Sequence, residues 1–199
     1  EEARRAPVGH IRLGFCPGCG MIYNTAFDPA LITYTQDYEN SLHFSPRFHA
    51  YAEQLAGELI RRYDLRGKRV IDVGCGKGDF LRLLCELGDN RGLGFDASYE
   101  GGSGNGNGLF EVIRDYYSEA HAHHTADLIC CRHVLEHIPD PRQFLARINK
   151  AASGSLGAAI FFEVPNALYT LRDLGIWDVI YEHCSYYSEP ALRQVFADT

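Results

Sequence analysis

The stretch VIDVGCGKGDF, residues 70–80, decides the fold. It opens as a short apolar run rich in β-branched residues, breaks on glycines at 74, 76 and 78, and passes into DFLRLLCEL, whose apolar residues recur at helical spacing. A strand that turns into a helix through glycines can bend sharply, because the missing Cβ atoms let the backbone approach a ligand closely. A nucleotide-like ligand can then rest against the helix N-terminus. A dinucleotide fingerprint, G-x-G-x-x-G, would need glycine at position 79, which is Asp79. The third glycine arrives one residue early, so the spacing disfavours NAD.

Around this turn the elements alternate. From Ser45 to Tyr63 the apolar residues Phe48, Tyr51, Ala52, Leu55, Ala56, Leu59 and Ile60 follow helical spacing, with Ser45 as N-cap and Pro46 at the first helical position. GLGFDAS (92–98) reads as a second strand, Leu109–Ile113 as a third, ADLICCRHV (126–134) as a fourth and AAIFFEVPN (158–166) as a fifth. PRQFLARINKAA (141–152) reads as a helix opened by Pro141. Alternation with near-continuous apolar strands predicts an α/β fold, a Rossmann-like, doubly wound and mostly parallel sheet with helices on both faces. GGSGNGNG (101–108) reads as a flexible loop. Asp96, eighteen residues beyond Gly78, ends the second strand, where a carboxylate can accept hydrogen bonds from both ribose hydroxyls of an adenosine.

The whole chain of 199 residues, 46% hydrophobic and 12% aromatic, supports one sizeable core. The expected division is an appendage over residues 1–44 and a ligand-binding domain over 45–199. A formal charge of -7, with no basic run longer than Arg4-Arg5 and Arg61-Arg62, gives no electrostatic footprint for nucleic acid or anionic membrane. Partners are expected to be small molecules or other proteins. Without a signal-like N-terminus or an apolar stretch of spanning length, the chain reads as cytoplasmic. It starts without Met and stops at RQVFADT with no strand after that amphipathic segment, and so reads as a piece of a longer protein lacking its last strands. Seven cysteines with one close pair, Cys16 and Cys19, argue for reduced thiols rather than a disulfide framework.

VIDVGCGKGDF, Asp96 in GFDAS, and ADLICCRHVLEHIPDP (126–141) together resemble the class I S-adenosylmethionine-dependent methyltransferases, over roughly residues 45 to 199. The resemblance implies S-adenosylmethionine as cofactor, with Asp72, Gly74, Cys75, Gly76, Gly78, Asp96, Ala97 and Arg132 at its site. It also bears on His133-Val134-Leu135-Glu136-His137, which spells the H-x-x-E-H ligand order of the inverzincin proteases. A protease needs that motif on one continuous helix, whereas here it leaves a buried strand and meets Pro139 two residues after His137.

The ends narrow the resemblance. FCPGCGMIYNTAFDPALITYTQDYENSLHFS (15–45) looks like the tail of the zinc-binding N-terminal module of sugar C-methyltransferases, and WDVIYEHCSYYSEPALRQVF (177–196) looks like their catalytic stretch. The four-cysteine zinc cluster of those enzymes would be represented by Cys16 and Cys19 alone, and half a tetrahedral site should not hold zinc tightly unless further N-terminal ligands are present. The resemblance implies a methyl acceptor that is a small molecule, a nucleotide-activated keto sugar methylated at carbon. Such an acceptor must lose a proton, and His183, beside Glu182, stands where those relatives carry their base. Glu182 could orient it. Tyr34, Tyr38 and Asn40 resemble residues that close over the cofactor and donate to the substrate oxygen, and His133 matches a position facing the substrate. His121, His123 and His124 in EAHAHHTAD read as a solvated loop. Two other functions stay open: methylation of oxygen or nitrogen in another small molecule, and an inactive cofactor-binding module that acts through protein contacts.

Overall fold

The computed structural model describes residues 8–32, 44–101 and 108–199; most of GGSGNGNG lies outside them. In chain order the elements are β1 (Leu13–Phe15), β2 (Ile22–Asn24), α1 (Pro46–Tyr63), β3 (Arg69–Val73), α2 (Asp79–Gly88), β4 (Arg91–Phe95) and β5 (Phe110–Ile113). There follow β6 (Leu128–Arg132), α3 (Pro141–Ala152), β7 (Ala159–Glu163), α4 (Ala167–Leu171), β8 (Ser185–Tyr186) and α5 (Glu189–Ala197).

These elements form two compact units. The larger comprises residues 44–132 as described, with Ala146–Glu163, and is the expected α/β sheet. Its strands run in the order β5-β4-β3-β6-β7, every neighbouring pair parallel. The helix that carries the chain from β3 outward to β4 and the helix that carries it from β6 to β7 move in opposite directions. Right-handed crossovers place two such helices on opposite faces. β3 is the central strand and β6 is paired on both sides, and RVIDV and LICCR are accordingly apolar almost without interruption.

The local reasons match the expected signals. The Ser45 hydroxyl accepts from the Phe48 amide at 3.4 Å to cap α1, Pro46 fills its first position, and Asp64 closes it in left-handed backbone at φ 51°. α1 turns Ala52, Ala56, Leu59 and Ile60 inward, and α2 turns Phe80, Leu81, Leu84 and Cys85 to the same core, where they meet Val70, Leu128 and Phe110. At roughly 1.5–3 kcal/mol for each large apolar side chain fully buried, this packing is the main support of the strand bearing the glycine turn.

The smaller unit gathers residues 8–32, His133–Leu145 and Val164–Thr199. Its antiparallel sheet has the order β1-β2-β8, Ile22 standing opposite Tyr186 and Tyr23 opposite Ser185. A cut after residue 44 therefore does not follow the compact units: β8 adds to the N-terminal hairpin, and this long-range pairing leaves no local pattern in the sequence. The EAHAHHTAD segment also departs from a solvated loop. His121 lends Nδ1 to the Ser118 amide at 3.2 Å, and its ring lies 4.8 Å from that of Phe95, with His124 at 5.9 Å. A turn that satisfies its own amide through a histidine side chain can lay that ring on an aromatic neighbour.

Candidate functional site

The larger unit builds its site at the carboxyl end of β3. Gly74, Gly76 and Gly78 all take positive φ, at 72°, 56° and 80°, which residues with a Cβ rarely adopt. The amides of Gly74 and Cys75 both donate to the Phe95 carbonyl, at 2.8 and 3.2 Å, and so tie the turn to the end of β4. The Cys75 side chain packs on the face of β4 there: a Cβ on Gly94 would lie 2.6 Å from its Sγ. α2 then starts after Gly78 with no side-chain cap, so no side chain of its own covers the positive end of the helix.

Asp96, one residue beyond β4, is held by three donors. Its Oδ2 accepts from the Gly76 amide at 2.8 Å, and its Oδ1 accepts from the Ser98 amide at 2.8 Å and the Ser98 hydroxyl at 2.6 Å. The carboxylate is thus fixed in place, with both acceptor sites of Oδ1 taken and one still open on Oδ2. Ala97 follows it, with its carbonyl accepting from Arg114 Nε at 3.4 Å.

Behind the turn, Asp72 is buried on β3. Burial pushes its carboxyl up to about 7; Arg132 pulls it down and Asp96 adds to the rise. Burial also pushes the Cys75 thiol well above its ordinary value. Arg132 ends β6 with Nε donating to Glu163 Oε2 at 2.6 Å, its guanidinium 4.0 Å from the centre of the Phe80 ring. Its Nη2 is buried with no hydrogen-bond partner among the described residues. The Tyr51 hydroxyl donates to the other oxygen of Glu163 at 2.6 Å. Tyr51 and Glu163 were invisible as site residues in the sequence, since one sits on the stripe of an amphipathic helix and the other at a strand end.

In the smaller unit the chain leaves β6 at His133, which takes left-handed backbone at φ 53° and points Nδ1 toward Glu136 Oε1 at 3.7 Å. Residues Leu135–His137 form one 3-10 turn that stops at Ile138, so H-x-x-E-H has no helix to ride on, as Pro139 implies. His183 is buried, and its Nδ1 donates to the Asp178 carbonyl at 2.9 Å, with the Asp178 carboxylate at 3.5 Å. Asp178 therefore orients the ring. The neighbouring Glu182 uses its backbone carbonyl instead, accepting from His137 Nδ1 at 3.0 Å. Burial holds His137 below the ordinary imidazole value, against the pull of Glu136. The two rings meet edge to face, with centroids 4.8 Å apart.

Cys16 and Cys19 form a tight knuckle, the Gly20 amide donating to the Cys16 carbonyl at 2.8 Å. The Cys19 amide, the Cys19 thiol and the Gly18 amide hold the Cys16 thiol below its ordinary value. Among the described residues, no group of three metal-ligating side chains includes either cysteine. Tyr34, Tyr38 and Asn40 lie outside the described residues.

The chain is similar to known proteins. A family described as a methyltransferase domain matches residues 47–199. The ubiquinone biosynthesis O-methyltransferase of Methylococcus capsulatus is 32% identical over 111 residues, 51% of this chain and 45% of that protein. The enzyme of the same name from Vibrio cholerae is 31% identical over 139 residues, 62% of this chain and 52% of that protein. The chain thus spans about half the length of these curated relatives. Among solved structures, magnesium protoporphyrin IX methyltransferase from Synechocystis, with bound SAH, superposes with a TM-score of 0.51 at 19% identity, covering 82% of this chain and 80% of that one. N,N-8-amino-8-demethyl-D-riboflavin dimethyltransferase from Streptomyces davawensis gives a TM-score of 0.54 at 19% identity, over 74% of this chain and 48% of that one. Those two likenesses concern the fold; the match over residues 47–199 places the chain in the methyltransferase-domain family, with the class I Rossmann-like architecture.

Proposed function

We propose that this chain is the catalytic domain of an S-adenosylmethionine-dependent methyltransferase whose acceptor is a small molecule that must lose a proton on methylation. The observation that carries the reading is the pairing of the glycine turn with Asp96. The residues present fit the cofactor: three positive-φ glycines leave no side chain over the turn, the start of α2 carries no side-chain cap, and Asp96 keeps an acceptor site on Oδ2 for a ribose hydroxyl. S-adenosylmethionine supplies a sulfonium-activated, electrophilic methyl group. What the protein must add is position and a place for the acceptor's proton.

His183 is the proposed proton acceptor. Its Nδ1–H is committed to the Asp178 carbonyl, so in the neutral ring Nε2 carries the lone pair. The sugar C-methyltransferase resemblance of residues 177–196 supports carbon beside a ketone, in a nucleotide-activated keto sugar, as the methylated atom. A second reading, methylation of a hydroxyl oxygen, has its own support in the O-methyltransferase names of the curated relatives. Titration calorimetry with S-adenosylmethionine and its demethylated product tests the cofactor reading, and absence of binding by both would overturn it. Identification of the methylated atom after turnover on keto-sugar and ring-hydroxyl acceptors decides between carbon and oxygen.

A further inference from the structure

Glu136, His137 and His183 come together in the smaller unit, one metal-ligating atom of each lying within 4.8 Å of those of the other two. We propose that these three side chains form a binding site for a divalent transition metal ion, with zinc the best match. The proposal goes beyond methyl transfer and does not depend on it.

Two independent features of the group point to a cation. Glu136 is only 2% exposed, and its Oε2 has no hydrogen-bond partner among the described residues. A buried carboxylate oxygen left in that state is costly, and a bound cation removes the cost. The two histidines, moreover, are oriented as metal ligands are: each donates Nδ1–H to a backbone carbonyl, His137 to Glu182 and His183 to Asp178. Such a bond fixes ring and tautomer and presents Nε2, as the outer contacts of bound metals do.

The donor set selects the ion. Two imidazoles and one carboxylate suit zinc and its transition-metal neighbours, whereas magnesium and calcium prefer all-oxygen sites. Ligands about 2.1 Å from a tetrahedral zinc stand roughly 3.4 Å apart. The three side chains would draw together by about an ångström on loading, a shift within reach of rotamer adjustment. Three protein ligands also leave a fourth position open, as in catalytic rather than structural zinc sites. A loaded ion takes the Nε2 lone pair of His183, so metal binding and proton uptake at that nitrogen exclude each other.

The test uses the full chain, stripped by a chelator and dialysed against zinc, in a Cys16→Ser, Cys19→Ser background that removes the thiol pair. Retention of roughly one equivalent of zinc, with magnesium not competing, is expected. Cobalt should give a visible spectrum without thiolate charge-transfer bands. His183→Ala and Glu136→Gln should each weaken zinc binding by at least about tenfold. Zinc that vanishes with the two cysteines, or binding that neither variant weakens, overturns the proposal. Where a variant loses its native circular dichroism, imidazole nitrogen spectra of the protein with both histidines intact decide: zinc must shift the Nε2 resonances of His137 and His183, and unchanged resonances overturn the site. S-adenosylmethionine titrated into the same samples reports separately on the methyltransferase reading.

Discussion

Replacing Asp72 with Asn isolates the electrostatic cost of the strand that carries the glycine turn. In the folded chain burial lifts this carboxyl from its ordinary 3.8 to about 7, the nearby Arg132 offsetting only part of the rise. The folded state therefore holds a proton on Asp72 over a pH range in which the unfolded chain has released it. Stability tied to that proton is complete below about pH 4 and is lost as pH rises to 7. At ~1.4 kcal/mol per pH unit, a window of about three units removes about 4 kcal/mol between pH 4 and 7, and no more above it. Asn has the shape of the protonated acid and does not titrate. Urea denaturation of both proteins between pH 4.5 and 8 should give similar stabilities at the acid end and a gap widening in favour of Asp72→Asn, toward about 4 kcal/mol at pH 8. The difference between the two curves cancels every other titrating group. A gap that stays constant across the range, or one that favours Asp72 at pH 8, refutes the reasoning and would mean that Arg132 neutralises Asp72 outright.

Asp96→Ala should weaken S-adenosylmethionine binding by about 1.5–3 kcal/mol, the worth of hydrogen bonds to a charged acceptor, and unchanged calorimetric affinity would remove Asp96 from the site. Gly94→Ala pushes a Cβ to 2.6 Å from Cys75 Sγ and 3.2 Å from Val112 Cγ2, so a loss of about 1–3 kcal/mol is expected; a melting temperature equal to that of the parent would show that the Cys75 and Val112 side chains give way without cost. His183→Ala should lower turnover by about two to four orders of magnitude with cofactor affinity intact. Solvent deuterium exchange into a keto-sugar acceptor that persists at the parent rate in that variant would move the proton acceptor elsewhere.

The parallel sheet was legible because its signals are local. Val70, Ile71 and Val73 announce a buried strand, Gly74 and Gly78 the turn, and Ser45 and Pro46 a helix start, whereas the strand order has no local signal. Asp96 was legible for the same reason, as the first carboxylate after the second strand. The grouping of Glu136 and His137 with His183 was not, since those residues meet across more than forty positions and Pro139 argued only against a helix. Asp178 was missed as the partner of His183, because the contact runs through a backbone carbonyl, which any residue type could supply. Glu182 drew notice as a carboxylate neighbour, yet it engages His137 through its main chain.

The pairing of Ile22 with Tyr186 has a consequence for the order of events on the ribosome. A two-stranded hairpin is marginal in water, and the third strand that would steady β1 and β2 is synthesised only after the entire parallel sheet has left the exit tunnel. The N-terminal segment must therefore wait, with one edge of β2 unpaired, until β8 has been made. Closing so long a loop also makes this sheet a late event in refolding. Dilution from denaturant should restore hydrogen-exchange protection in β3 and β6 before it reaches the amides of β2.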